Sequence, residues 1–262
     1  MKNKSLYVIT HKDVKNTYPK DRKIMLVGAK EKVVPEGYFS DYDKSKDNIS
    51  DKNSTFCELT GQYYFIKNDS DADVFGLEHY RRLFTKRKIY LFKFPFLKSK
   101  DIDKILSEYD IIVPKITKLD KSVYDHYCEY HVGSDLDIAL EIINKKYPEY
   151  ADVCKEVING NETYFCNMFI AKREVIENYS KWLFDILFEV EPIINDEVIL
   201  RQNYNKRAYG YLAERLFTIW LFKNSDIKRY ECKVEFLRSN NPFVNMCKKV
   251  IHLIKRILKI EK

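Results

Sequence analysis

The chain has 262 residues, a formal charge of +7, 45% hydrophobic residues and 15% aromatic residues. That length suits one large domain or two small ones, and the apolar content supplies a core that excludes intrinsic disorder. No apolar stretch approaches the roughly 20 residues that would span a bilayer. The amino-terminal residues show no signal-peptide pattern and the six cysteines show no zinc spacing, so we expect a cytoplasmic protein with reduced thiols. The positive charge indicates an anionic partner: nucleic acid, an anionic membrane surface or a phosphorylated substrate.

Strand patterns and helix patterns alternate along the chain, which predicts an α/β sandwich rather than a helical bundle or an all-strand barrel. The predicted strands, in chain order, are Leu6–Thr10, Lys23–Val27, Val74–Leu77, Asp110–Pro114, Glu162–Ala171 and Tyr230–Leu237. The predicted helices are Thr55–Lys67, Asp135–Lys146, Tyr150–Asn159, Glu174–Val190 and Tyr209–Lys223. Thr55 and Glu58 fit a capping box, and Ser134 is a plausible N-cap.

The strongest local signal follows the strand Val74–Leu77, where Glu78 and His79 precede Arg81 and Arg82. Ligands of open α/β sheets bind beyond the carboxyl ends of the strands. Arginine keeps its charge and pairs with phosphate through two hydrogen bonds. We therefore interpret this segment as an anion site, and the alternative is a solvated basic loop with His79 satisfied in the core.

Two other segments indicate a nucleotide pocket. Thr10 and His11 end the first strand, at the edge of the sheet where nucleotides commonly bind. Asp47 and Asn48 precede a predicted helix, whose N-terminus favours anions. An Asx turn before that helix is the alternative interpretation of these two residues.

Polar residues in the second half of the chain are candidates for catalysis and acceptor binding. Glu214 lies near the start of a helix with Arg207 and Arg215, where it is either an ordinary salt-bridge partner or a general base that the arginines orient. The residues that could contact a sugar are Tyr127 and His131, in an aromatic stretch that ends at Asp135, and Asn167, whose amide could hold a hydroxyl. The alternatives are a partly buried helix for the stretch and a core strand for Asn167.

Seven short motifs, spread in order over roughly residues 5–220, together resemble a known family. They are Tyr7–Lys12, Val27–Ala29, Asp47–Ser50 with Asn53, Cys57–Thr60, Gly76–Arg82, Asn167–Ile170 and Gly210–Leu216. On these motifs the chain resembles the bacterial family of uncharacterised-domain glycosyltransferases encoded in capsular and exopolysaccharide clusters. The better-understood members of that family are similar to galactofuranosyltransferases.

The resemblance implies a fold similar to the GT-A class, an α/β nucleotide-sugar-binding sandwich with a mixed central sheet. It also implies transfer of galactofuranose from UDP-galactofuranose, with inversion, onto a lipid-linked glycan in capsular or exopolysaccharide synthesis. Such a displacement needs a carboxylate that takes the proton of the acceptor hydroxyl, and the candidates are Glu214 first and Asp135 second. Tyr127, His131 and Asn167 are then the expected acceptor-binding residues.

The chain departs from the usual GT-A pattern at the place of the Asp-x-Asp motif that holds a divalent cation. Glu78-His79-Tyr80 stands there, and Glu78 or His79 would make a poor site for manganese or magnesium because hard cations prefer several carboxylate oxygens. We therefore hypothesise that cations of the chain neutralise the leaving diphosphate without a metal. The residues predicted to bind the donor are Thr10, His11, Asp47, Asn48, His79, Arg81, Arg82, Arg207 and Arg215.

The end of the chain differs in composition from the rest. Phe243–Lys262 carries six basic residues against one acidic residue, and its apolar residues cover about half of the circumference of a helix. This pattern is typical of a helix in an anionic membrane interface, although a helix packed on its own domain is the alternative. We therefore divide the chain into a glycosyltransferase domain, residues 1–240, and a basic amphipathic helix, residues 241–262, on the inner face of the cell membrane.

Two other function classes stay open. One is a non-catalytic scaffold of a polysaccharide assembly complex. The other is a nucleic-acid-binding protein, which the charge distribution disfavours because the residues before the tail carry only +2 of the total of +7. No pattern of a known nucleic-acid-binding module is present either, so we expect no nucleic-acid partner.

Overall fold

The computed structural model describes residues 3–15, 18–86 and 96–237. The strands are β1 (Lys4–Thr10), β2 (Lys23–Leu26), β3 (Phe39–Ser40), β4 (Val74–His79), β5 (Arg82–Thr85), β6 (Ile111–Pro114), β7 (Thr117–Lys118), β8 (Glu162–Thr163), β9 (Phe169–Lys172) and β10 (Arg229–Phe236). The α-helices are α1 (Asn53–Phe56), α2 (Leu59–Asn68), α3 (Ser99–Leu106), α4 (Val123–Tyr130), α5 (Gly133–Lys146), α6 (Ala151–Asn159), α7 (Arg173–Leu200) and α8 (Ala208–Lys223). The tail for which an amphipathic helix is predicted, residues 241–262, lies outside the described residues.

A mixed sheet of eight strands forms the centre of the fold. On one side, β3, β2, β1 and β4 run parallel, so that Thr10 lies beside Leu26 and Ile9 lies beside His79. On the other side, β9 runs antiparallel to both β4 and β6, and β10 joins β6 to β5. The parallel half therefore brings the carboxyl ends of β1, β2 and β4 to one edge.

The core has two layers because the buried strands alternate their side chains between the faces of the sheet. In β1, Tyr7 and Ile9 join the larger apolar cluster, which contains residues of α2, α5, α7 and α8, while Leu6 joins a smaller cluster. Ile102 and Leu106 of α3 cover that smaller cluster. Helices thus lie on both faces, and the predicted α/β sandwich with a mixed central sheet is confirmed.

Two predicted elements are each interrupted. The helix predicted from Thr55 stops at Phe56 and restarts at Leu59, because Cys57 has a positive φ of 54°. The capping box is therefore wrong: the Thr55 hydroxyl donates to the Lys52 carbonyl at 3.1 Å. The strand predicted over Glu162–Ala171 divides into β8 and β9, and positive φ values at two residues between them turn the chain.

Helix ends are the other differences from the sequence prediction. α7 continues to Leu200 with Pro192 inside it, well beyond the predicted end at Val190. α5 begins one residue before Ser134, and its N-cap is Val132 rather than the predicted serine. None of the helices in the described ranges is long and apolar enough to cross a membrane.

A buried ion pair holds β4 beneath the edge of the sheet. Arg22 donates through Nε to Glu78 Oε2, and its Nη2 donates to the Leu97 carbonyl at 2.9 Å. The second oxygen of Glu78 accepts the backbone N–H of Phe84 at 2.7 Å. Since Glu78 is 1% exposed, its charge depends on these contacts for compensation.

Replacing Glu78 with glutamine should lower the free energy of unfolding by up to about 3–5 kcal/mol, because the buried Arg22 loses its buried partner and keeps only the partly exposed Asp21 as an ionic partner, at 2.9 Å. Urea denaturation followed by circular dichroism measures this change. The matched control is Glu129→Gln, which removes the partner of Lys121 in an exposed pair and should cost less than about 1 kcal/mol. Equal small losses in both variants would show that the buried pair does not stabilise the sheet.

Candidate active site

The turn at Cys57 and the turn at Cys166 and Asn167 meet at the edge of the sheet where β4 ends. Glu58 follows Cys57 and is the N-cap residue of α2, and its Oε1 accepts a hydrogen bond from Asn167 Nδ2 at 2.8 Å. The same nitrogen donates to the carbonyl of Gly210, in α8, at 2.9 Å. Asn167 has a positive φ of 44°, a conformation that asparagine tolerates better than most residues. One side-chain amide thus ties α2 and α8 to the start of β9.

Glu214 lies beside this contact on α8. Its Oε1 accepts the backbone N–H of Cys166 at 2.8 Å, and its Oε2 accepts Nη1 of Arg215 at 2.7 Å. Burial raises the pKa of Glu214, although Arg215 and the Cys166 N–H oppose the shift. A fixed carboxylate with a raised pKa is the arrangement that a general base requires.

His79, at the end of β4, contacts the turn that contains Cys166 and Asn167. Its Nε2 lies 2.5 Å from the carbonyl oxygen of Cys166, and a carbonyl only accepts, so Nε2 carries the proton and Nδ1 is left as an acceptor. Burial lowers the pKa of His79, and the neighbouring Glu58 opposes that shift. His79 is therefore a neutral group, not a fixed cation, at neutral pH.

Several cationic side chains lie near His11 and His79 at this edge of the sheet. The pKa of His11 is lowered first by burial and then by four nearby cations, which are Lys12, Lys32, Arg207 and Arg81. Arg82 and Arg207 act in the same direction on His79. Among the residues that the structure describes, Arg81, Arg82 and Arg207 form no ion pair with a carboxylate. These cations can neutralise an anion without first breaking an internal pair.

Most of the predicted donor-binding residues meet at this edge. His11, His79, Arg81, Arg82 and Arg207 are linked by the electrostatic contacts above. Thr10, which is 1% exposed, closes the end of β1 by donating to the Lys12 carbonyl at 2.6 Å. Thr10 therefore has a structural role, because it stabilises the backbone turn that follows β1.

Asp47 and Asn48 lie elsewhere. Asp47 accepts a hydrogen bond from the Tyr63 hydroxyl at 2.9 Å, and its carbonyl accepts from Asn68 at the end of α2, whereas Glu58 and His79 meet at the beginning of α2. Asn48 bonds the backbone of its own loop. These contacts correspond to the turn interpretation, and we do not include the two residues in the site.

Arg215 and Asp135 are engaged inside the protein. The Arg215 guanidinium carbon lies 5.1 Å from the centres of the Tyr127 and Phe165 rings, and the side chain is 1% exposed. Asp135 binds Arg201 through both oxygens, at 2.5 and 2.9 Å. Arg215 is therefore placed to orient Glu214 rather than to meet a diphosphate, and Asp135 has a structural partner on each oxygen.

The predicted acceptor-binding residues are connected to Glu214 or Glu58 through one or a few contacts. Tyr127 lies under Arg215, and its ring centre is 4.9 Å from that of His131. Burial lowers the pKa of His131 to about 3, so this ring is neutral. Asn167 donates directly to Glu58, whereas Tyr127 is connected to Glu214 through Arg215.

The end of β4 does not fit the divalent cation that GT-A enzymes usually hold. Both oxygens of Glu78 accept hydrogen bonds from Arg22 and from the backbone of Phe84, and Nε2 of His79 is committed to Cys166. Within the described ranges, no group of three or more potential ligands (His, Cys, Asp or Glu) is arranged to hold a metal ion. We therefore derive no step through a metal.

Sequence reasoning did not assign Glu58, Lys12 or Lys32 to the site. Glu58 was interpreted as a capping residue, and only the turn at Cys57 directs it to Asn167. Lys32 reaches the edge from beyond β2 and donates to the His11 carbonyl at 3.1 Å. The family motif that contains Glu58, Cys57–Thr60, was the one sequence signal that could have drawn attention to it.

Stability should fall on acidification, since burial lowers the pKa of each of the four histidines that the structure describes. His131 is protonated near pH 6.5 when unfolded but only near pH 3 when folded. Its contribution is therefore complete above pH 6.5 and is lost as the pH falls from 6.5 towards 3. We expect a loss below about 1.4 kcal/mol per pH unit for His131, because its partial exposure screens the effect.

Urea denaturation between pH 7 and pH 5 measures this slope. His131→Phe keeps an aromatic ring in place and removes the titrating group, so the slope should become shallower in that variant. An identical slope in the wild-type chain and the variant would contradict the assignment.

Comparisons with known proteins agree with this fold. Residues 5–225 match the family described as a domain of unknown function, DUF4422, and the chain belongs to that family. A solved structure, the apo form of the bifunctional glycosyltransferase WbbM, is 29% identical with a TM-score of 0.77. The match covers 90% of this chain and 46% of WbbM, so the chain spans less than half of that protein. No curated protein matches.

These findings confirm the coarser part of the predicted resemblance. The chain belongs to an uncharacterised-domain family, and its mixed α/β fold is similar to that of a glycosyltransferase. The capsular role and the galactofuranosyl specificity stay predictions.

Proposed function

We propose that this chain is a glycosyltransferase that moves a sugar from a nucleotide donor to an acceptor hydroxyl. The observation that carries this proposal is the edge of the sheet, where Arg82 and Arg207, which have no carboxylate partner among the described residues, lie near Glu214 and Glu58. The similarity to WbbM over 90% of the chain supports it. Ligands of open α/β sheets bind at this edge, and the charges there suit a nucleoside diphosphate.

The cations would act on the leaving diphosphate. Negative charge builds on that group as the bond to the sugar breaks, and preorganised cations stabilise it in the transition state. Arg81, Arg82 and Arg207 are the residues that we assign to this role, with Lys12 and Lys32 beside them. We propose that transfer does not depend on a metal. Complete loss of transfer in excess chelator, restored by manganese, would contradict this.

Glu214 is the residue that we assign as general base. In a direct displacement, the acceptor oxygen attacks the anomeric carbon while its proton passes to a carboxylate. The raised pKa of Glu214 makes its carboxylate a stronger base than an ordinary glutamate. Its contacts with Arg215 and Cys166 fix its orientation. Asp135 is less suited because both of its oxygens bind Arg201.

The finer assignment follows the resemblance of the motifs. We propose a GT-A arrangement, galactofuranose from UDP-galactofuranose as the sugar, inversion at its anomeric carbon, and a lipid-linked glycan of capsular or exopolysaccharide synthesis as the acceptor. The inner face of the cell membrane would then be the site of action, with the basic tail, residues 241–262, as the contact with anionic lipid.

A thermal-shift screen over UDP-, GDP-, dTDP- and CMP-sugars tests the proposal without knowledge of the acceptor. A ligand that binds only the folded state stabilises it by RT ln(1 + L/Kd), where L is the free ligand concentration, and Tm therefore rises with ligand concentration. We expect one nucleotide class, UDP, to raise Tm. If no nucleotide sugar raises Tm, the scaffold interpretation is favoured instead.

A further inference from the structure

Three aromatic rings form a stack next to the carboxylates, which we call the aromatic shelf: His131, Tyr204 and Tyr211. The centres of the His131 and Tyr211 rings are 4.0 Å apart with an interplanar angle of 20°. Tyr204 lies 5.6 Å from His131 at 16° and 4.6 Å from Tyr211 at 32°. Tyr204 is 55% exposed while Tyr211 is 8% exposed. The shelf therefore presents one tyrosine to solvent and keeps the other buried.

Buried polar atoms without partners lie against this shelf. Tyr127 Oη, His131 Nδ1 and Arg215 Nε have no hydrogen-bond partner among the described residues, and Tyr127 and Arg215 are at most 1% exposed. A buried polar group without a partner costs about 1–3 kcal/mol. Tyr127 connects the three residues, because its ring contacts both His131 and the guanidinium of Arg215. The three unpartnered polar atoms, and the free-energy cost of burying them, therefore lie in one cluster around Tyr127.

The aromatic shelf lies near residues that we propose for catalysis and for donor binding. Arg215 donates to Glu214 on one side, and the Arg207 guanidinium carbon lies 5.8 Å from the Tyr211 ring on the other. A group held on the shelf would be next to the proposed base and next to the proposed diphosphate-binding cations. Its partners there are the Tyr127 hydroxyl, the imidazole of His131, which is neutral at neutral pH, and Nε of the Arg215 guanidinium.

We propose that the aromatic shelf is the acceptor subsite and that its ligand is the terminal sugar ring of a glycan. This proposal rests on the proposed function. The C–H face of a sugar ring packs on an exposed tyrosine, and its hydroxyls both donate and accept, as the unpartnered atoms of Tyr127, His131 and Arg215 require. A rotation of the exposed Tyr204 side chain, a change that is common on binding, opens the way to Tyr127 and His131.

Saturation-transfer NMR on the full chain tests the shelf with methyl β-D-galactofuranoside, methyl β-D-galactopyranoside, methyl α-D-glucopyranoside and methyl α-D-mannopyranoside as probes. We expect at least one glycoside to receive saturation from the protein. Tyr204→Ala should weaken its binding by roughly five- to ten-fold, the size of one ring contact, and Tyr204→Phe should keep it. The matched control is Tyr130→Ala, which removes a tyrosine of nearly equal exposure, 54%, outside the shelf.

The outcomes separate this proposal from the proposed function. Absence of saturation for all four glycosides, or equal binding by Tyr204→Ala and the wild-type chain, overturns the acceptor subsite. The thermal shift with UDP is measured on the same variants. If Tyr204→Ala loses that shift, the shelf binds the nucleotide and the subsite assignment is wrong. If the shift persists while glycoside binding is lost, both proposals are supported. Absence of the shift in the wild-type chain contradicts the proposed function and with it the acceptor role of the shelf, and glycoside binding that depends on Tyr204 would then show only that the shelf binds a sugar.

Discussion

Replacing Glu214 with glutamine is expected to lower kcat by about 10²–10⁴-fold, the usual contribution of a general base. The amide keeps the size of the side chain and its oxygen can still accept one hydrogen bond, from the Cys166 N–H or from Arg215, but it cannot take the proton of the acceptor hydroxyl. Binding of the nucleotide sugar should not change, because the cations that hold the diphosphate remain in place. Steady-state transfer and donor titration by calorimetry measure the two quantities separately.

The matched control is Glu231→Gln, which replaces a carboxylate that accepts from the Tyr164 hydroxyl and should retain the wild-type rate. Asp135→Asn separates the second candidate. Because Asp135 is buried against Arg201, its substitution should lower the free energy of unfolding by about 3–5 kcal/mol while the folded fraction keeps its rate. An active Glu214→Gln variant would remove Glu214 from the role, and an inactive but fully stable Asp135→Asn variant would assign the role to Asp135.

Replacing Arg207 with glutamine is expected to weaken the binding of UDP-galactofuranose by about 10- to 100-fold, since a hydrogen bond to a charged group contributes about 1.5–3 kcal/mol. Arg207 donates to the Cys57 thiol at 3.1 Å and has no carboxylate partner among the described residues. Its charge is therefore available to the diphosphate. Calorimetric titration of the donor into each variant measures the change.

Arg229→Gln is the control, because Arg229 lies on β10, where its guanidinium carbon packs 5.6 Å from the Phe222 ring. It should leave donor affinity unchanged. Equal affinities for the wild-type chain and Arg207→Gln would show that this arginine does not meet the donor, and equal losses in both variants would indicate a general effect of net charge.

Much of the fold follows from local patterns. β1 and β4 are short apolar runs, and the structure buries both in the centre of the sheet, where every strand residue needs an apolar or paired environment. The interruptions at Cys57 and at Cys166 were not predictable in this way. Both depend on positive φ values of residues that do not favour them, so packing from distant segments decides them.

The candidate site was predictable to the same extent. The end of β4 placed His79 and the arginines at an edge by chain order alone, and the motif around Glu214 identified the carboxylate. The role of Asp47 could not be decided, because a polar turn before a helix looks the same whether it binds a ligand or its own backbone. Glu58 was misread because its partner, Asn167, lies more than a hundred residues away in the chain.

The most direct test of glycosyl transfer by this chain is product analysis after the purified chain is incubated with UDP-galactofuranose and a lipid-linked glycan. Mass spectrometry of the acceptor and NMR of its new anomeric centre are the readouts. We expect the acceptor to gain one hexose, an equal amount of UDP to be released, and the new linkage to have inverted configuration. An unchanged acceptor with sugars of all four nucleotide classes, from protein shown to be folded, would contradict it.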